Sequence, residues 1–592
     1  MVREYSGAAF YEGLRSCALA APSSPVLVFP STADTDALCA LKIVTHLLAQ
    51  DSIRYSVYPV ASFNDIHSLG TTLSTGGQPF VALLINWGCS RDLRRLLKVG
   101  PEGHIFVVDS HRPIHLHNLS DQNRQVTVLY SREDESQADI PYGFDIADLS
   151  NSCDLNSESD CEHDLDVSDD ELDDESEDGD DGGERKRRRT EDGGISGTLL
   201  QNIRKAKLEY YRMGTFHGRP AGCLLYEIAH ALHKNNNELL WLACVSLTDQ
   251  FVHERLSVER YQAGVMELEQ HINGSGNLEM ATSVTLKDGT KVRIPDVSRI
   301  SYEDEPRLML LREWNLYDSM ICSSYVATKL KTWSDNGLKR LRLLLAKMGI
   351  ALVECQQKFQ YMSSDMKKRL KEEFQKLLPE YGLSDLYYRS FQRLHGYSSK
   401  VSAADVVYGV TALLESWGGN HHTDHFWNAY KALSLNNLED LQLGMHRAIS
   451  TQRATLRQGS LAITRKGYIK SARGFRWLKL EDGSDAELLA HPLSLTKFCY
   501  FLMDALKEKG ARVKPMICAA LKPGSSSKMV LIVGVSSRPR LGAQHANRFG
   551  MVFQSVAQDL GATFTHDAFE SSWIHLDVAS VNAFMIHISE RL

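Results

Sequence analysis

The sequence predicts an α/β protein: a parallel-sheet domain, an inserted helical domain and a smaller C-terminal α/β domain. Three observations carry the α/β part of that expectation. Over the first 130 residues, short β-branched or aromatic runs alternate with helix-compatible stretches, the pattern that builds a parallel sheet covered on both faces. Acidic and imidazole side chains cluster where those apolar runs end, and ligand sites in such sheets form at the carboxyl ends of strands. Strand-like runs return in the last 130 residues. A chain of 592 residues is also too long for one hydrophobic core, so several domains are expected.

Residues 26–29, 55–60, 80–85, 104–108 and 125–130 read as buried strands, with helices at 36–49, 62–69 and 91–97 between them. Together they make the first part of the sheet domain, residues 1–133. Residues 134–198 form an acidic linker. From Glu133 to Glu184 there are 23 Asp or Glu and no Lys or Arg. Such a composition cannot bury enough apolar surface to offset ordering entropy, so disorder is expected. Ser157, Ser159 and Ser168 each precede an acidic residue by three positions, which suits an acidophilic kinase. The pentad Arg185, Lys186, Arg187, Arg188 and Arg189 reads as a nuclear import signal; the alternative is a charge clamp for the acidic run beside it.

Residues 199–260 read as helices completing the sheet domain. Leu199, Ile203, Ala206 and Tyr210 make one helical stripe, 220–234 a second helix, and 238–256 a third that is apolar on nearly all sides and hence buried. Asp249 lies inside this third helix, where a carboxylate needs a partner. Residues 261–400 read as a helical partner-interaction domain. Leu308, Leu311, Trp314 and Leu316 fall at roughly helical spacing within 305–318, and 337–349 is a basic amphipathic helix with a glycine stop. Connecting helices occupy 401–455, one over 403–415 and the next opened by Thr423 as N-cap. His421, His422 and His425 lie in a Gly-Asn-rich turn with no supporting carboxylate pattern, so they are not expected to bind metal. In the final part, 456–592, strands are expected at 513–519, 529–535 and 573–576, with a helix over 545–560.

A content of 43% apolar and 24% charged residues is that of an ordinary soluble protein. No run approaches the ~18 to 20 apolar residues of a membrane span, and the first residues lack a signal-peptide pattern. Of eleven cysteines, seven (Cys39, Cys223, Cys244, Cys322, Cys355, Cys499 and Cys518) lie in apolar or helical runs, as reduced core cysteines do. An intracellular protein is expected. The net charge of −8 hides a segregation: outside the acidic run, 66 Lys or Arg face 51 Asp or Glu. A basic body suggests contact with nucleic acid or an acidic partner, or else a solvated surface rich in lysine.

The candidate site lies at the strand ends. Asp34 and Asp36 follow the first strand, Asn86 and Gly88 the third, Asp109, Ser110 and His111 the fourth, and Asp249 sits in a later helix. This order resembles the four motifs of the DHH phosphoesterases, which include the RecJ single-strand exonucleases. In that family Asp-x-Asp, Asp-x-Gly, Asp-His-His and Asp hold two divalent metals, usually manganese, which clamp a phosphodiester and activate water. Here Asn86 replaces the second-motif aspartate and Ser110 the first histidine; Thr32 stands where RecJ-like members often carry another acid. Hard divalent ions need anionic oxygens or neutral imidazole. A two-metal mechanism is therefore expected to fail, with no catalytic residue, metal or cofactor. Instead Asp34, Asp36, Asp109, His111 and Asp249 are expected to serve stability through mutual hydrogen bonds, their repulsion offset by Arg112, water or a lone cation.

The chain also resembles, nearly end to end, the cell division control protein 45 family of eukaryotic replication factors. The resemblance rests on 33–40 (ADTDALCA), 108–113 (VDSHRP), the acidic linker with its basic run, and 247–250 (LTDQ). Lys339-Arg-Leu, 346–349 (AKMG), 404–407 (ADVV) and 423–426 (TDHF) also fit. It implies a non-catalytic core subunit of the replicative DNA helicase in the nucleus, assembled with the MCM hexamer and the GINS complex. Single-stranded DNA and replicative polymerases are implied as further partners, and no membrane. The ATPase would belong to MCM, in keeping with the lack of a Gly-x-x-x-x-Gly-Lys-Ser/Thr loop here. The competing expectation is a manganese-dependent exonuclease in which Asn86 and Ser110 ligate through neutral oxygens.

Overall fold

The computed structural model describes residues 3–66, 80–98, 100, 102–120, 123–131, 194–274, 282–285, 291–294, 299–395, 399–416, 423–434, 436–523, 528–538 and 547–591. The acidic run, the basic pentad, its neighbouring serines, His421 and His422 lie outside them. Among the described residues, no helix is long and apolar enough to cross a membrane.

The first sheet contains β1 (Arg3–Glu4), β2 (Val26–Pro30), β3 (Tyr55–Val57), β4 (Val81–Ile85) and β5 (His104–Val108), and a short ribbon strand, β6 (His111–Arg112), precedes its last member, β7 (Val126–Leu129). The order is β1-β7-β5-β4-β2-β3 and every pairing is parallel. The central strands β2 and β4 are buried throughout, because helices cover both faces of such a sheet. Pro30 pairs with Ile85, and Ile85 with Val108. This register ends the three strands level, so the residues that follow them emerge side by side.

One face of the sheet packs against helices Gly7–Ala20, Thr35–Gln50, Ala221–Ala231 and Asn237–Val252. The last is buried continuously from Leu239 to Gln250, as its apolar character on all sides predicts. The other face carries Trp87, Leu93, Ile114, Ile203 and Tyr210. The seven cysteines read as core residues are all buried and free.

The stretch expected to be helical also holds a three-stranded antiparallel sheet, Ile300–Pro306, Tyr387–His395 and Ser399–Ser402. Beside it helices Leu316–Cys322, Ser324–Leu330, Asp335–Lys347 and Ser364–Leu377 enclose a core of their own. Residues 305–318 are not one helix. Pro306 ends a strand, turns follow, and Asn315 accepts from the Asp318 amide to start a new helix. The spacing of Leu308 and Leu311 comes from the turn, which buries both. Gly349, at φ +67°, does stop its helix. Thr423 opens helix Asp424–Ala432, but its side chain makes no capping bond.

The C-terminal unit is a mixed six-stranded sheet in the order Lys470–Ser471, Arg476–Lys479, Met516–Leu521, Met529–Val535, Trp573–Asp577 and Phe564–Thr565. Apolar clusters fill both of its faces. Its helix Phe549–Asp559 starts later than expected.

Candidate functional site

The level strand ends bring Asp34, Asp36, Asn86, Asp109 and Ser110 together, all at most 2% exposed. Asp34 caps helix Thr35–Gln50, its Oδ1 accepting from the Ala37 amide at 2.7 Å. Asn86 sits in the left-handed region at φ +56°, which asparagine tolerates better than most residues. Its Nδ2 donates to Asp34 Oδ1 at 3.1 Å and to Asp36 Oδ2 at 2.8 Å. Its Oδ1 accepts from the Ser110 amide at 3.3 Å. A carboxylate at this position could not donate to either aspartate.

Asp36 takes three more donors besides Asn86. The amides of Ala221 and Gly222 reach it at 2.9 Å each, and Ser246 Oγ donates to Oδ1. Those amides belong to the first turn of helix Ala221–Ala231, where they have no intrahelical acceptor and the preceding Pro220 provides no side-chain cap. Asp36 thus caps a helix far away in sequence. Burial and the charge of Asp34 nevertheless raise its pKa to about 6. Burial also raises Asp34, opposed chiefly by Arg255.

Asp109 accepts from the Cys89 amide at 3.0 Å, from the His111 amide at 2.9 Å and from His111 Nδ1 at 2.8 Å. Burial pushes its pKa up, but the His111 ring and these donors outweigh that and hold it below the usual carboxylate range. The same pairing holds His111 above the ordinary imidazole value, against burial. Asp249 is fully buried, with His253 Nδ1 at 3.0 Å and an Arg255 nitrogen at 3.8 Å. His253 Nδ1 is directed at the main-chain oxygen of Asp249, 2.9 Å away. Among the described residues, neither carboxylate oxygen of Asp249 receives a well-directed hydrogen bond; the adjacent His253 imidazole, and after it Arg255, hold its pKa below the usual range despite burial.

The expected mutual bonding therefore runs through Asn86 and His111, and Asp249 stands apart from it. Arg112, one of the compensating groups expected, donates its guanidinium to the main-chain oxygens of Asp109 and His111 at 2.8 and 2.9 Å and faces the Tyr130 ring. Arg255 is the leading charge opposing burial at Asp34 and acts after His253 at Asp249, and no motif points to it. His425 pairs with Ser416 at 3.0 Å.

The C-terminal unit covers the site. Phe63 donates its amide to the Asp567 oxygen at 2.8 Å, and Ser62 bridges Ala568. Phe569 stacks on Trp87, next to Asn86, with centroids 5.3 Å apart and planes 17° apart. Phe63 meets Phe569 edge-on at 5.1 Å. Glu570 then reaches β8 (Phe216–His217), its Oε2 lying 3.4 Å from His217 Nε2. Thr215 and Asn547 exchange main-chain hydrogen bonds at 3.0 and 2.8 Å. Arg538 ties Glu254 to Asp504 at 2.9 and 2.5 Å. None of these closing residues carries a signature in the sequence, because their meeting depends on how the two sheets dock.

Two hard divalent ions do not fit this arrangement. Asp36 and Asp109 have their oxygens turned to protein donors, an amide nitrogen bridges two aspartates, and a guanidinium supplies the positive charge beside Asp34 and Asp249. The Asp249 carboxylate keeps its oxygens without a directed donor among the described residues, but one such group cannot coordinate two hard ions, and the rest of the site serves to hold its elements in register.

The CDC45 family model matches residues 26–591. The cell division control protein 45 homolog of Schizosaccharomyces pombe is 32% identical, the match covering 94% of this chain and 94% of that protein. The homolog of Homo sapiens is 29% identical over 95% of this chain and 96% of its own length. The crystal structure of CDC45 from Entamoeba histolytica has the same fold, with a TM-score of 0.69 at 20% identity, covering 99% of this chain and 98% of that one. A sheet whose strand ends carry this set of side chains, matched across almost the whole chain, leads to one conclusion: the chain belongs to the CDC45 family.

Proposed function

We propose that the chain is a non-catalytic core subunit of the eukaryotic replicative DNA helicase, required to start and continue DNA replication. In this reading it works in the nucleus with the MCM hexamer and the GINS complex and contacts single-stranded DNA, and replicative polymerases are further partners. Residues 185–189 serve nuclear import, and the helical region within 261–400 docks partners. The observation that carries the non-catalytic part is the Asn86 amide donating to both Asp34 and Asp36. A hydrolase of the two-metal kind needs those oxygens for its ions. Family membership supports the rest. The excess of Lys and Arg outside the acidic run suits phosphate contact, which weakens steeply with salt.

The test combines labelled single strands, manganese and the purified full chain. Intact DNA, with binding that falls as salt rises, is expected. Degradation that vanishes in the Asp36→Ala, Asp109→Ala double variant would instead establish a manganese-dependent exonuclease. Affinity purification from dividing cells should recover MCM and GINS subunits in near-equal amounts; their absence would refute the assembly.

A further inference from the structure

We propose that His111, His217 and Glu570 form a site for one divalent first-row transition ion, zinc foremost, which staples the first α/β unit to the C-terminal one. The three side chains each offer a ligand atom, and these atoms lie within 4.8 Å of one another. His111 and His217 face each other across the paired strands β6 and β8, their rings 5.0 Å apart. Glu570 comes from the segment that the C-terminal unit lays over Trp87.

Each ligand is already oriented. His111 Nδ1 donates to Asp109 Oδ1, which leaves Nε2 as its ligand atom; a carboxylate behind an imidazole is the support that metal-bound histidines have. Glu570 Oε1 accepts from Ser572 Oγ at 3.0 Å, leaving Oε2 for the cluster. His217 Nε2 is buried, lies 3.4 Å from that Oε2 and makes no directed hydrogen bond among the described residues. Buried polar atoms without a bond are costly and rare. The His217–Glu570 separation of 3.4 Å is that of neighbouring ligands on a tetrahedral zinc, roughly 3.4 Å for bonds of ~2.0 to 2.2 Å, and the cluster as a whole closes onto one ion with small side-chain shifts.

Two imidazoles and one carboxylate select a late first-row ion over magnesium or calcium, and leave a fourth position for water. His111 closes the third phosphoesterase motif, but His217 and Glu570 lie outside all four, so the site shares one position with the two-metal arrangement and draws its other two ligands from elsewhere. Two of its ligands lie in the first unit and one in the other. Binding the ion is therefore linked to closure, and the closed form gains whatever free energy the ion contributes.

The full chain, stripped with chelator and dialysed against buffered zinc, tests this. One zinc per chain should remain, and zinc should raise the melting temperature. Cobalt in its place should give visible bands of a tetrahedral site, and magnesium should compete for neither. His217→Ala and Glu570→Gln should each abolish the cobalt bands and weaken zinc by about tenfold or more, while circular dichroism in chelator shows them folded. If either variant misfolds, His217→Gln gives the same reading with a smaller change in shape. Retention of no zinc, or undiminished retention in these variants, would overturn the proposal. So would cobalt bands that disappear in Asp36→Ala and persist in His217→Ala, because the ion would then sit elsewhere.

Discussion

Asn86 Nδ2 lies 3.1 Å from Asp34 Oδ1 and 2.8 Å from Asp36 Oδ2, so one neutral amide joins two buried carboxylates that would otherwise repel. Asn86→Asp replaces the donor by a third acid. A loss of about 3 kcal/mol at pH 7.5 is expected, larger than for Asn86→Ala. The gap between the two variants should close towards pH 5, where the added acid protonates and can donate to a neighbour. Denaturant titrations of both variants across that range check this.

Arg255 is the leading charge that offsets Asp34 and assists His253 in offsetting Asp249. Replacing it by methionine keeps volume and removes charge, so both carboxyl pKa values should rise. The penalty should be large at pH 8 and shrink as pH falls towards 5, because protonated carboxyls no longer need a cation. A pH-independent loss in Arg255→Met would show that packing alone is involved.

Asp36 titrates at about 6 in the folded chain, against 3.8 for the free side chain. A carboxyl raised on folding contributes stability that is fully present below pH 3.8 and is lost as pH rises through about 6. The stability of the chain relative to Asp36→Asn should therefore decline between those values. A flat difference by thermal melts in that window would contradict the assignment.

Gly222 leaves room for the Ser246 hydroxyl that donates to Asp36. A methyl group there would meet Ser246 Oγ at 2.6 Å and Cβ at 2.8 Å. Gly222→Ala should cost about 1 to 3 kcal/mol, despite the better helix propensity of alanine. Unchanged stability would mean that Ser246 is free to turn away.

Phe569 joins the two units through Trp87 and Phe63. Phe569→Ala should cost about 3 to 5 kcal/mol and expose Trp87, read as red-shifted fluorescence and faster proteolysis between the units. Loss of stability without that shift would place the weakness inside the C-terminal unit.

The strands of the first sheet are plain in the sequence because buried parallel strands are short apolar runs with sharp ends. The same ends locate Asp34, Asp36, Asn86 and Asp109, since residues just beyond level strands must meet. Helix Gly7–Ala20 is harder to see: only Phe10, Tyr11 and Leu14 are buried, in a stretch of small residues. Arg255, His217 and Glu570 could not be found from local pattern at all. Each matters through a contact made across the molecule, and polar residues in turns and short strands carry no periodicity that marks them.

The closing contacts span most of the chain: Asn64 donates to Asp567, 503 positions later. At ~5 to 20 residues per second, translation separates these partners by roughly 25 to 100 s. Throughout that interval the indole of Trp87 lacks the ring that shields it. A chain cut short before residue 569 would leave that apolar face of Trp87 uncovered, the kind of surface that makes incomplete chains prone to aggregate.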